Sequence, residues 1–287
     1  MDISAADHAA FSGRANRIDH AAANQLHYLG NYVRDISSNL TRMMENAHDW
    51  EHLPFVHPSS FAAIAPIETG TWGWRCKAAL PNAGGEQLLE LLVDEDRHYW
   101  ATSVVSGSGQ GIQIHTQASD NDGGGITVDV RFYLPQPPEN EAQAAMILGY
   151  LQTQYTTLYD EDEALMRGRQ EALDERKALR GSKAEKITDL GPEAALDRTV
   201  VHTAQLGNRR IAVRYQGNAW IAHAARCPHT LGPLDTVEPD MTGHITCPWH
   251  GYRFDLLSGA EEEERCGALA LYRCAISPDR RLEVFEA

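Results

Sequence analysis

The chain has 287 residues, with 40 Asp+Glu against 25 Lys+Arg and a formal net charge of −15. At roughly 150 residues per domain, this length suggests two domains. Hydrophobic residues at 43% and charged residues at 23% exclude a collagenous, coiled-coil or wholly disordered protein, and the acidic balance argues against a nucleic-acid partner or docking on an anionic membrane.

In chain order, the first forty residues read as a helical lead-in, apolar residues being spaced loosely among Ala, His and Asn. A firmer helix is predicted from about Ser38 to His52, ending before Pro54. From Phe61 to Leu134 the pattern turns to strands: Trp72–Leu80, Gln87–Val93, Arg97–Val105, Gly111–Gln117 and Gly125–Leu134, with turn chemistry at Asn82–Gly85, Ser106–Gly111 and Asp120–Gly125. A long helix follows over about Asn140–Arg180, with Leu151, Tyr155, Leu158, Asp162, Leu165 and Met166 sharing one face. Gly181–Asp197 reads as a polar linker. Short strands return at Val200–Ala204, Arg210–Gln216, Asn218–Ala222, Gly243–Thr246, Arg253–Asp255 and Arg281–Phe285. The expected organisation is α+β: a domain over 1–180 with an antiparallel sheet and a long helix, a linker over 181–197, and a small all-β domain over 198–287. No run approaches the 18 apolar residues of a membrane span, and the first thirty residues lack the apolar core of a signal peptide. A cytoplasmic location is expected.

The most specific motif is Cys227-Pro-His229, then seventeen residues, then Cys247-Pro-Trp-His250. Two thiolates can hold one iron of a [2Fe–2S] cluster while two imidazoles hold the other. Zinc is the rival, because a tetrahedral Cys₂His₂ site uses the same atoms. Zinc fingers of that composition usually pair Cys with Cys and His with His, whereas each arm here supplies one of each. The sequences from Cys227 to Leu234 and from Cys247 to Asp255 resemble the two cluster-binding loops of Rieske iron–sulfur proteins. The high-potential members of that group have an extra cysteine in each loop. Pro233 and Trp249 stand at those loop positions, and Tyr252 stands where that type has a serine. The lower-potential type of ferredoxins and oxygenases is therefore expected. Cys266 and Cys274 lie outside both loops and read as buried structural thiols.

In the N-terminal half, His52 and His57 are candidate ligands for a second metal. Their five-residue spacing puts them roughly 140° apart on a helix, so a chain turn at Pro54 is needed to bring them together. A facial triad of two histidines and one carboxylate leaves positions open for O₂. Among Asp160, Glu161, Asp162 and Glu163, periodicity turns Asp162 inward beside Leu158 and Leu165, whereas Asp160 faces water.

Glu45-Asn46, Asp49, His52 and His57 also resemble the mononuclear-iron motif of Rieske non-haem iron oxygenases, and each fixed position of the motif is met. The resemblance implies a helix-grip catalytic domain holding Fe(II) between sheet and long helix. It implies that Asp49 bridges a cluster histidine of a neighbouring subunit to His52, in a ring-shaped trimer. The domain order is inverted here: the Rieske domain is C-terminal. The glycine-rich Gly107–Gly111 lies between predicted strands and reads as a turn, so electrons are expected from NAD(P)H through a separate reductase or ferredoxin. The expected function is hydroxylation or oxidative demethylation of a small organic, aromatic-type substrate with O₂. The alternative is a non-enzymatic Rieske ferredoxin-like carrier fused to a ligand-binding helix-grip domain.

Overall fold

The computed structural model describes residues 1–82, 84–180 and 186–286. The chain divides into two compact units, Met1–Arg167 and Gly168–Ala287. Among the described residues, no helix is long and apolar enough to cross a membrane.

The first unit opens with α1 (Ala5–Ala10), started by a capping box in which Ser4 and Asp7 satisfy each other's backbone N–H groups. β1 (His27–Ile36), α2 (Leu40–His48) and the single turn α3 (Leu53–Val56) follow. A meander of β2 (Ala63–Gly70), β3 (Gly73–Ala79), β4 (Glu86–Asp94), β5 (Tyr99–Gly107), β6 (Gln113–Asp120) and β7 (Ile126–Leu134) comes next, and then the long α4 (Glu141–Leu179). The sheet order is β1-β7-β6-β5-β4-β3-β2, antiparallel throughout. Strict alternation explains β7: Ile126, Val128, Val130, Phe132 and Leu134 are buried, while Thr127, Asp129, Arg131 and Tyr133 point the other way. The core joins this face to Met43, Met44 and Ala47 of α2 and to Leu151, Tyr159 and Met166 of α4.

Two expectations need correction here. Part of the segment read as a helical lead-in is β1, which pairs with β7 along its length. Its period is broken by a bulge between Tyr28 and Gly30. Gly30 lies so close to α4 that a Cβ there would meet the Leu148 side chain at 2.7 Å. β2, before the first predicted strand, supplies the opposite edge.

In the second unit, the last turns of α4 from Gly168 onward are followed by a six-stranded sheet in the order β8-β15-β14-β11-β10-β9. Its strands are β8 (Ile187–Pro192), β9 (His202–Leu206), β10 (Arg209–Gln216), β11 (Ala219–Ala224), β14 (Leu271–Ile276) and β15 (Arg281–Phe285). A two-stranded ribbon, β12 (His244–Thr246) and β13 (Arg253–Asp255), stands apart from it. Ile211, Val213, Leu282 and Val284 are fully buried in the core of the six-stranded sheet. The predicted linker 181–197 is corrected in part. Ile187–Pro192 forms an edge strand on β15, and residues 181–185 lie outside the described residues. Gly191 and Pro192 give β8 the composition of a loop, and an edge position tolerates both. The architecture is thus mixed α+β: an antiparallel sheet with a long helix, then an all-β domain.

Candidate metal centres

Asn39 caps α2 by accepting the Arg42 N–H at 3.0 Å. The helix stops at His48, with Asp49 in extended backbone, four residues short of the predicted end at His52. His52 precedes α3 and His57 follows it, with Pro54 in the first turn, where its missing N–H costs nothing. Pro54 therefore starts a turn instead of ending a helix. The His57 N–H closes that turn on the Leu53 carbonyl at 2.9 Å. The two imidazoles consequently meet edge to face, with centroids 5.2 Å apart.

Asp162 enters from α4. Its Oδ1 lies 3.0 Å from His57 Nε2 and 3.4 Å from His52 Nε2. One donor atom from each of these three buried residues falls within 4.8 Å of the others. Asp160 faces water, as expected, and pairs with Arg34 at 2.7 Å. Asp49 Oδ2 lies 3.6 Å from His52 Nδ1, a contact made through a turn and not along a helical face. Periodicity passed over Glu161. Its Oε2 is 2.7 Å from His57 Nδ1, on the side of the ring away from Asp162. An acid directly before the chosen ligand was the only available signal.

The protonation chemistry tests whether a cation fits. Glu161 accepts a hydrogen bond from His57 Nδ1–H, so the tautomer this selects turns its Nε2 lone pair toward Asp162, which is also an acceptor. Two acceptors face each other at 3.0 Å unless a proton or a metal ion lies between them. Neither nitrogen of the buried His52 completes a hydrogen bond. Burial disfavours the His52 imidazolium, but the carboxylates of Asp162 and Asp49 more than offset it and hold its pKa up to about 9. Burial would raise Asp162, yet the two imidazoles hold its carboxyl well below the usual range. A buried carboxylate facing two imidazoles, in surroundings that favour positive charge, is a donor set that could hold a divalent cation. By contrast, His115 is satisfied by Tyr99 Oη at 2.7 Å and Gln113 Oε1 at 3.0 Å, an ordinary strand histidine.

In the second unit, the loop after β11 carries Cys227 and His229, and the loop between β12 and β13 carries Cys247 and His250. Each loop folds back on its cysteine. The Cys227 N–H donates to Gly232 O and the Cys247 N–H to Tyr252 O, both at 2.8 Å. Cys227, Cys247 and His250 are buried, and the two imidazole centroids stand 4.7 Å apart. Gly232 lets the loops approach, since a Cβ there would lie 2.6 Å from Cys247 Sγ. The hydrogen bond to Cys247 and then burial push the Cys227 thiol up. The same hydrogen bond favours the Cys247 thiolate against its burial. Tyr252 stacks on His229 at 4.5 Å, and the Arg265 guanidinium lies 4.1 Å over Tyr252. Cys266 and Cys274, expected to be buried, are half-buried. The run Glu261–Glu264, which looks solvent-facing in sequence, buries Glu261 to accept the Arg265 N–H at 2.7 Å.

Residues 186–273 match the Rieske [2Fe–2S] domain family. A 62-residue segment is 39% identical to pheophorbide a oxygenase, chloroplastic, of Oryza sativa subsp. japonica, spanning 21% of this chain and 12% of that relative. The chain thus matches only about an eighth of that relative's length. Among solved structures, the ferredoxin of carbazole 1,9a-dioxygenase from Nocardioides aromaticivorans IC177 is 21% identical, with a TM-score of 0.30 over 37% of this chain and 100% of that one. Ara h 8.0201 is 14% identical, with a TM-score of 0.38 over 49% of this chain and 97% of that one. The C-terminal part of this chain is thus a Rieske [2Fe–2S] domain.

Proposed function

We propose that the protein is the terminal oxygenase of a Rieske-type system, acting on a small organic molecule by hydroxylation or oxidative demethylation. Cys227 and Cys247 hold one iron of the cluster, and His229 and His250 hold the other. His52, His57 and Asp162 hold a mononuclear Fe(II). When bound, the cluster supplies single electrons and the ferrous ion supplies open positions at which O₂ is activated.

The chain's own residues prepare those sites. Glu161 keeps the His57 proton on Nδ1, so Nε2 is presented toward Asp162 as a lone pair. Asp49 lies on the corresponding side of His52, 3.6 Å from Nδ1 and beyond hydrogen-bond distance, and its side chain is a quarter exposed. It is placed to orient that ring and to hold a proton as charge at the site changes. By the family resemblance, Asp49 is also the link to a cluster histidine of a neighbouring subunit in a trimer. Burial raises the phenol pKa of Tyr155 and Tyr159, so both stay neutral beside Asp162. Electrons come from NAD(P)H through a separate reductase or ferredoxin.

The observation that carries this reading is the buried convergence of His52, His57 and Asp162 in a chain that also has a Rieske domain. The test is O₂-dependent product formation from candidate aromatic and N- or O-methylated compounds, with NAD(P)H and a reductase. Oxidation of the reduced cluster by O₂ without any product, in protein carrying no third iron, would leave the electron-carrier reading.

A further inference from the structure

In the second unit, a groove of about 460 Å³ lies between the last turns of α4 and the loop that carries Cys227. Arg176, Arg180, Arg209, Arg210 and Arg226 line it against one acid, Glu175. Arg210 is tied to Glu175 at 3.5 Å and to Asp235 at 3.3 Å, and Arg226 to Glu175 at 3.5 Å. Arg176, Arg180 and Arg209 stand exposed at the mouth. Five of the chain's 25 basic residues gather here, although its net charge is −15. At a Debye length of about 8 Å in physiological salt, a partner in contact feels the groove and not the distant acidic surface. The occupant that complements it is acidic. Among the described residues, no aromatic side chain lines the groove to stack a base, which disfavours a single-stranded nucleic acid. A small anion would be held by donors converging in an enclosed site, whereas three of these guanidinia line an open rim. Cys227 and Pro228 form part of the groove wall, so a partner seated there is separated from the thiolate side of the cluster only by the ligand loop.

We infer that this groove is the docking site of an acidic, ferredoxin-type one-electron donor, and that the electron enters the cluster from the Cys227 side. This rests on the cluster assignment in the proposed function. One electron leaves the donor's reduced iron–sulfur centre and reduces the oxidised cluster by one. No bond forms or breaks, and no proton is required. The groove therefore lies on the cysteine side of the cluster, opposite in role to the imidazoles from which the proposed function draws the electron onward.

The test uses the full chain with its cluster verified by visible absorption. Absence of a cluster would contradict the proposed function, and the outcomes below would then not arise. A photoreduced acidic [2Fe–2S] ferredoxin is mixed with the oxidised protein in a stopped-flow instrument, and binding of oxidised ferredoxin is measured by calorimetry. The second-order rate constant should fall with rising salt. Arg176→Glu and Arg209→Glu should each lower the rate about tenfold and weaken binding similarly. The neutral changes Arg176→Gln and Arg209→Gln should give smaller losses. Reduction by methyl viologen radical cation should be undiminished, and the midpoint potential unchanged. Arg280, 80% exposed and outside the groove, is the control, and Arg280→Glu should have little effect. Equal slowing in Arg280→Glu, or no slowing in any groove variant, overturns the proposal. So does tight binding of pyrophosphate that the same variants abolish while ferredoxin kinetics stay unchanged.

Discussion

Glu161 and Asp162 are adjacent in sequence and reach different nitrogens of one imidazole, at 2.7 Å from Nδ1 and 3.0 Å from Nε2 of His57. Their tasks differ accordingly. On the proposed reading, Asp162→Ala removes a metal donor. Glu161→Ala removes the group that fixes the tautomer, which in metal sites typically costs ten- to a hundredfold in affinity. Titration of the apoprotein with Fe(II) should show that loss for Glu161→Ala, with an unchanged cluster spectrum and partial recovery in Glu161→Gln. Asp49→Ala should leave both metals bound and abolish turnover. Unchanged turnover in that variant would remove the bridging role. At this scale the cysteines and histidines of the two motifs were legible because their spacing is distinctive. Glu161 was not, because an acid beside other acids on a helix has the signature of a solvated face. The inward turn of Asp162 could be read from its apolar neighbours Leu158 and Leu165, and it is buried.

Elements with a clean period were readable, and those whose period is broken were not. β7 follows alternation, and α4 is found within a residue of its predicted ends. β1 was hidden by the Gly30 bulge and β8 by Gly191 and Pro192, and tertiary pairing decides both. The pair β10–β11 carries a test of its own. His223 is fully buried, its Nε2 accepts from Arg214 Nε at 3.2 Å and its Nδ1 donates to the Ala224 carbonyl at 2.9 Å. Burial, together with the Arg214 charge, holds its pKa down to about 4 from 6.5. Between those values the unfolded chain binds the proton and the folded one does not. The stability His223 contributes is thus fully present above pH 6.5 and is lost as pH falls toward 4, by an amount on the order of 3 kcal/mol. Thermal melts should show a steeper acid loss in the wild type than in His223→Gln. Equal slopes would contradict this assignment. Gly232→Ala offers a second test in the cluster loops: its added Cβ would meet Cys247 Sγ at 2.6 Å, and the visible absorption of the cluster should be lost or sharply reduced.

For the whole molecule, charge and composition excluded classes without choosing a function. The choice came from two motifs lying in two separate units, one of which is a Rieske domain. The resemblance implies a trimer, and light scattering on the cluster-loaded protein should show three chains per particle. The central claim is that one chain holds two kinds of iron centre. Iron and acid-labile sulfide counted per chain, on protein reconstituted without oxygen, test it most directly. The account predicts roughly three irons to two sulfides, falling to two irons with sulfide unchanged in His57→Ala or Asp162→Ala. Two irons per chain in the unsubstituted protein, with an intact cluster spectrum and no change in either variant, would contradict it.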